Sequence, residues 1–312
     1  MVKQPKLSIP AVRRGAKVAV LSPASYAQPE RLAQGVEALG RLGFLPWVGR
    51  HAQDKAHHYF AGTAQARLED LHAAFLDPAV SAIFCSRGGY GCNYLLAGLD
   101  LGLVREHPKP FLAHSDMTCL QTWLLDQLGL ISFHAPMVAG DFSQPEGVDE
   151  ASLLAALGGD RWFAGETSGL RVLQPGKATG ILYGGCITLL VASLGTPYAP
   201  RTEGKLLFLE DRDVKPYQLD RLLRQMVLAG KFEGVTGIIF GEMLDCVAPG
   251  QKPGLLDEVI LRVLDWFPGP IATGLRSGHV SRRNVTLAFG IEAELHLERA
   301  PVLSFLERAT EK

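Results

Sequence analysis

A chain of 312 residues has room for about two domains, and 47% hydrophobic against 20% charged residues is the balance of an ordinary globular protein with a sizeable core. Its net charge of -1 offers no basic field to hold a phosphate backbone, which argues against nucleic acid as a partner. No run approaches the ~18 apolar residues of a membrane span. The five cysteines (Cys85, Cys92, Cys119, Cys186 and Cys246) are odd in number and form no C-x-x-C pair, a pattern expected of reduced thiols in a cytoplasm.

In chain order, Met1 to Gly15 carries basic residues with no apolar stretch behind them, so no secretory leader is expected. Lys17 to Leu21 reads as a buried strand, ended by Ser22-Pro23-Ala24-Ser25. A helix is predicted from Pro29 to Leu42, a strand from Phe44 to Val48, and a polar loop from Gly49 to Tyr59. The loop's His57-His58 lacks further ligands at zinc spacing and reads as solvated. A helix over Ala64–Leu76 leads to a strand over Val80–Cys85, the loop Arg87-Gly-Gly-Tyr-Gly91, and a helix over Asn93–Ala97.

The apolar run from Pro110 to Ala113 stops at His114-Ser115-Asp116, after which Met117, Leu120, Leu124 and Leu128 fall on one helical stripe. Ser115 therefore sits at a strand-to-helix turn, over the first free N–H groups of a helix. That is the setting of a nucleophile elbow without the flanking glycines of G-x-S-x-G, and equally of a simple helix cap. A strand at Leu130–Phe133 follows. Strands alternating with helices predict an N-terminal parallel sheet with helices on both faces, and ligands in such sheets bind at the carboxyl ends of the strands.

From Gly140 to Gly176 the sheet signal lapses, apart from a helix at Glu150–Leu157. This places one α/β domain at residues 1–160, a connector at 161–175, and a second, mixed α/β domain at 176–312. The second half restarts with Ile181-Leu-Tyr, Gly184-Gly185 and a helix over Ile187–Leu194. Lys205–Leu209 is a strand running into Glu210-Asp211. A helix over Tyr217–Ala229, a strand over Val235–Phe240, a helix over Leu255–Trp266 and a strand over Pro270–Thr273 follow. That last strand ends in Gly274-Leu-Arg-Ser-Gly-His279, and Val285–Leu306 reads as short antiparallel strands.

Ser115, Glu210 and His279 are thus three chemistry-capable side chains at strand ends. A serine hydroxyl needs a base, a histidine serves near neutral pH, and a carboxylate fixes the histidine tautomer. Asp211 or Asp213 offers the same acid function as Glu210, and a histidine in a polar loop is by default solvated. The glycine loop lets backbone N–H groups approach a phosphate or an oxyanion, or simply makes a tight turn. It has neither G-x-G-x-x-G spacing nor a Walker lysine.

The whole pattern resembles the LD-carboxypeptidases, serine peptidases of cell-wall recycling related to the microcin-immunity hydrolases. The resemblance is carried by Leu21-Ser-Pro-Ala-Ser25, Arg87-Gly-Gly-Tyr-Gly91, Ser115-Asp116, His134-Ala-Pro-Met137, Gly184-Gly185 with Leu194-Gly-Thr-Pro197, Leu209-Glu-Asp211, and Gly278-His279 with Asn284. It implies Ser115 as nucleophile, Glu210 as acid, His279 as base, and the backbone N–H groups of Gly89 and Asp116 as an oxyanion hole. It also implies two domains with the site between them, no metal or other cofactor, a peptide or muropeptide substrate, and a homodimer. His114 stands where the family usually has an aromatic such as tyrosine, and Cys186 where asparagine is usual. If the strand alternates, His114 points away from Ser115. A carboxypeptidase also needs a cation for the substrate terminus. Arg87 in the glycine loop and Arg276, three residues before His279, are the candidates, with Tyr90 in the loop beside Arg87.

Overall fold

The computed structural model describes residues 6–252 and 254–311. The reading of the N-terminal segment falls in part on residues 1–5, which lie outside the described residues.

The first half alternates as expected. Strands β1 (Lys17–Leu21), β2 (Leu45–Val48), β3 (Val80–Cys85), β4 (Phe111–Ala113) and β5 (Ser132–His134) are separated by helices α1 (Pro29–Arg41), α2 (Ala64–Leu76), α3 (Leu101–Glu106) and α4 (Thr118–Leu128). Local chemistry marks the helix ends. Pro29 starts α1 with its preset φ, the Thr63 hydroxyl accepts the Ala66 N–H at the head of α2, and Gly129 at φ +70° ends α4. Helix α3 has no counterpart in the sequence reading, since six residues give too few turns for a periodic stripe. The predicted helix at Asn93–Ala97 is a single 3₁₀ turn, Cys92–Leu95.

Helix α5 (Glu150–Gly158) leads into the second half. Its strands are β6 (Phe163–Gly165), β7 (Arg171–Gln174), β8 (Lys177–Cys186), β9 (Lys205–Glu210), β10 (Gly237–Gly241), β11 (Ile271–Leu275), β12 (Leu287–Phe289), β13 (Glu292–His296) and β14 (Val302–Phe305). Its helices are α6 (Ile187–Ala192), α7 (Pro216–Leu228) and α8 (Leu255–Val263). The stretch read as a connector carries β6 and β7. Both are short, lie at the two edges of a sheet, and have an exposed first residue, so neither shows the apolar run of a buried strand.

Among the described residues, two sheets form. The first has the order β12-β5-β4-β3-β1-β2 and is parallel except for β12, which runs antiparallel to β5. The second has the order β6-β14-β13-β8-β9-β10-β11-β7, with a parallel centre (β8 to β11) and antiparallel strands on both sides. The tail is antiparallel as expected, but it divides: β12 completes the first sheet and the next two strands join the second. Fully buried Phe84, Phe111 and Phe133 fill the first sheet, and Phe208 and Phe240 the second.

Register brings the strand ends level. Leu21 stands opposite Cys85, Ala113 opposite His134, and Cys186 opposite Glu210. The loops beyond these residues hold nearly all the polar side chains singled out from the sequence.

Candidate active site

The segment following β4 places Ser115. His114 is extended (φ -150°), and Ser115 itself takes φ +63°, the left-handed region that a non-glycine residue rarely occupies. The chain turns there into a 3₁₀ turn (Ser115–Met117) and then α4, so a strained backbone lifts the hydroxyl off the strand end above the free N–H groups of the helix. This is the conformation of a nucleophile elbow, formed without its glycines. The space those glycines would have left is supplied by the loop after β3. A Cβ on Gly88 would lie 2.7 Å from Ser115 Oγ and 3.5 Å from the Asp116 nitrogen, so only a glycine lets the loop backbone pass this close.

That loop is pinned from outside the cavity. Ser25 donates its N–H to the Gly88 carbonyl (3.2 Å) and accepts the Tyr90 N–H on its hydroxyl (3.1 Å). The buried Arg67 guanidinium donates to the carbonyls of Pro23 (2.7 Å) and Gly91 (2.8 Å). The Asp116 side chain is turned inward to accept the Cys92 N–H (2.7 Å), and burial pushes its carboxyl up to about 6. Through its side chain Asp116 ties the turn to the glycine loop, and the residue itself is not among those lining the cavity.

Opposite Ser115, β9 ends in Glu210, which is completely buried. Glu210 Oε2 accepts both the backbone N–H of His279 (3.0 Å) and its ring Nδ1–H (2.8 Å). The chain reaches this carboxylate because Gly278, at φ +90°, has no Cβ; one would fall 2.7 Å from Glu210 Cδ. Asn284 fixes the same turn, accepting the Gly278 N–H (3.0 Å) and donating to the Gly278 carbonyl (2.9 Å) and to Asp141 Oδ1 (3.0 Å). The other two acids near this strand end are engaged elsewhere. Asp211 caps α6 by accepting from the Thr188 N–H (3.0 Å) and hydroxyl (2.6 Å), and Asp213 pairs with Lys215 at 2.6 Å.

The electrostatics follow from burial and pairing. Burial is the largest influence on Glu210 and opposes its charge, but His279 and His134 outweigh it and hold the carboxyl well below its ordinary value. Burial likewise opposes charge on His279, and Glu210 outweighs it, so His279 titrates above the ordinary histidine value. In the neutral ring the one proton sits on Nδ1 against Glu210, leaving the Nε2 lone pair to act as a base. His114 behaves oppositely. Burial, then the charges of His279 and His134, push it down to about 3, and its Nδ1 is bonded to the Ala135 carbonyl (2.9 Å). Its ring does not point away from the site as strand alternation predicts. It lines the cavity and stands edge-on to His279, centroids 5.3 Å apart, because the backbone twists at the turn. Cys186 also lines the cavity, and burial raises its thiol well above the ordinary value, so it stays a neutral thiol.

Ser115, His279, Gly88, Gly89, Arg87 and Asp211 share one open cavity of about 970 Å³, at the upper end of the ~300–1,000 Å³ common for small-molecule sites. Among the described residues, Ser115 Oγ makes no hydrogen bond to His279, a looseness usual in sites without substrate. Of the two candidate arginines, exposed Arg87 lines the cavity and Arg276 does not. The Arg276 guanidinium donates to the Thr167 carbonyl, held there by the passage of residues 166–169 beside β11. Tyr90 also stays outside the cavity lining, its ring packed tilted and edge-on among Tyr59, Phe60 and Tyr94. Sequence reasoning named no role for His134, Ser277, Asp141 or Asn284, which surround the Glu210–His279 pair. They lie on different strands and loops, and no spacing links them. Among the described residues, no group of three or more His, Cys, Asp or Glu is arranged to hold a metal ion, and no helix is long and apolar enough to cross a membrane.

Comparison with known proteins identifies the family. Residues 18–135 match the LD-carboxypeptidase N-terminal domain and residues 179–295 the LD-carboxypeptidase C-terminal domain. A probable murein peptide carboxypeptidase of Bacillus subtilis is 36% identical, over 92% of this chain and 90% of that protein. The crystal structure of a muramoyltetrapeptide carboxypeptidase from Oxalobacter formigenes is similar with TM-score 0.82 and 25% identity, covering 95% of this chain and all of that one (100%). An MccF-like protein from Bacillus anthracis gives TM-score 0.87 at 26% identity, covering 96% and 99%. With both domains matched in order and a relative aligned over nearly its whole length, the chain belongs to the LD-carboxypeptidase family of serine-type peptidases.

Proposed function

We propose that this enzyme removes the terminal D-amino acid from an L,D-linked murein tetrapeptide, with Ser115 as nucleophile, His279 as base and Glu210 as acid. The observation that carries the reading is the shared cavity of a serine lifted into the left-handed region and a histidine whose Nδ1–H is bonded to a buried carboxylate. Ser115 Oγ attacks the carbonyl carbon of the scissile amide while its proton passes to His279 Nε2. The carbonyl oxygen, now negative, lies against the N–H groups of Gly89 and Asp116. The C–N bond breaks, the D-amino acid amine leaves with the proton from His279, and water activated by the same nitrogen hydrolyses the acyl-serine. Glu210 stays ionised throughout and stabilises the imidazolium.

Arg87 is the cation in this reading that receives the free terminal carboxylate, since it lines the cavity beside the glycine loop. Tyr90 and Arg276 support the site from outside it. The same reading has residues 1–160 carry the nucleophile and 176–312 the acid and base, works as a homodimer, and places the enzyme in the cytoplasm, where recycled peptides are met.

A second reading is favoured by the MccF-like likeness: hydrolysis of a peptidyl-nucleotide conjugate of the microcin type. Incubation with a tetrapeptide panel, read by intact mass, separates the two. Loss of one D-alanine by the wild type and not by Ser115→Ala supports the carboxypeptidase. Intact tetrapeptides beside a cleaved conjugate would move the assignment to the second reading.

A further inference from the structure

We propose that His134 is a positioning residue, locking the Glu210 carboxylate from the side opposite His279. His134 is the last residue of β5, completely buried. Its Nε2 faces Glu210 Oε1 at 3.8 Å, just beyond hydrogen-bond length, and neither atom has a hydrogen-bond partner among the described residues. Among the described residues each is the nearest partner the other has, and a buried polar atom left alone is costly. The far side of the ring is set by Ser277, whose hydroxyl lies 3.0 Å from His134 Nδ1. Phe208 and Phe289 pack on the ring, with centroids 5.1 and 5.4 Å away.

Two tautomers are possible, and charge chooses between them. A proton on Nδ1 would leave an Nε2 lone pair facing a carboxylate. A Ser277 hydroxyl donating to Nδ1 puts the proton on Nε2, where it points at Glu210 Oε1. Burial lowers the basicity of His134, in keeping with a neutral ring in this role. The carboxylate then has His279 bonded to Oε2 and the His134 N–H facing Oε1, which disfavours its rotation. Gly278 makes the arrangement possible, since a Cβ there would sit 2.6 Å from His134 Cε1 as well as against Glu210.

The inference rests on the proposed Glu210–His279 acid and base, and it has its own readout. The groups facing His279 are Glu210, Asp211, Asp141 and the rings of His114 and His134; those near Glu210 are His279, His134, His114, Asp211 and the neutral thiols of Cys186 and Cys246. Removing the His134 N–H makes Glu210 more basic and tightens its hold on the His279 proton. The acid limb therefore moves to higher pH while the plateau rate falls. The measurement is the rate of Ser115 labelling by a fluorophosphonate as a function of pH, which needs no knowledge of the natural peptide.

Labelling of His134→Ala should be slower by about tenfold, as expected when a buried carboxylate loses the N–H that faces it, with its acid limb shifted up. His134→Gln, whose amide nitrogen reaches the place of Nε2, should recover most of the rate and the limb; His134→Asn, reaching only the place of Nδ1, should not. Ser277→Ala should shift the limb in the same direction with a smaller loss, and it decides the matter if the His134 variants do not fold. Gln and Asn variants equally poor with an unmoved limb, or an unmoved limb in Ser277→Ala when that variant stands alone, would overturn the proposal. A wild type that labels but cleaves no tetrapeptide contradicts the murein reading and leaves this test intact. One that never labels removes the serine mechanism and the role of His134 together.

Discussion

The two sides of the cavity are built by different physics. On the nucleophile side the decisive features are in the backbone: Ser115 at φ +63°, a glycine loop pressed to within the reach of one methyl group, and a helix start beneath. On the acid–base side they are in side-chain charge: a completely buried carboxylate made tenable by two histidines and a backbone N–H. The difference teaches where each side is fragile. The first is sensitive above all to added volume. The second tolerates little change of charge, because an unpaired buried carboxylate has no water to turn to.

The largest expected effect breaks the first side outright. Ser115→Ala should leave no measurable turnover with an unchanged fold, a loss on the order of 10⁶ by analogy with other serine peptidases, read as tetrapeptide cleavage beside a melting curve. Residual turnover near the wild-type rate removes Ser115 from the chemistry. Next is the charge side. Glu210→Gln keeps the shape but offers His279 an amide, and the loss should be on the order of 10⁴. The same variant sharpens the contrast through pH. His279 must be neutral to accept the serine proton, and Glu210 raises its pKa, so wild-type kcat/KM should fall as pH drops through a value above about 6.5. In the Gln variant that limb should move to lower pH; a limb that stays in place would mean another group sets it.

Gly88→Ala tests volume against charge directly. Its Cβ would fall 2.7 Å from Ser115 Oγ and force the loop away, so kcat should drop by about a hundredfold, the size of a lost oxyanion contact, with a loss of stability of about 1–3 kcal/mol. A fully active alanine variant would show that the loop backbone is not held against the serine. Arg87→Ala should act more weakly still, raising KM for a free terminal carboxylate by roughly tenfold and leaving an amidated substrate almost unaffected. Equal cleavage of free and amidated tetrapeptides by the wild type would argue against end recognition. The smallest effect is expected from Arg276→Ala, since its guanidinium serves the Thr167 carbonyl outside the cavity; a large rise in KM there would reverse the assignment of the two arginines.

What the sequence determined alone was local and periodic. The strand Lys17–Leu21, the helix Ala64–Leu76 and the strand Val80–Cys85 appear with the bounds read from it, because apolar runs and a 3.6-residue stripe report burial directly. The strand-to-helix turn at Ser115 was legible for the same reason, and the family motifs pointed to Glu210 and His279. Short edge strands such as Phe163–Gly165 and Arg171–Gln174 were not legible, since three or four half-exposed residues give no pattern. Nor was the return of Leu287–Phe289 to the first sheet, which pairs residues more than 150 positions apart in chain order. Only the tertiary structure decided which arginine faces the cavity and that a second buried histidine stands behind the carboxylate. Composition and spacing carry no information about these contacts, because hydrogen bonds between distant strand ends depend on register, and register is settled when the two sheets pack.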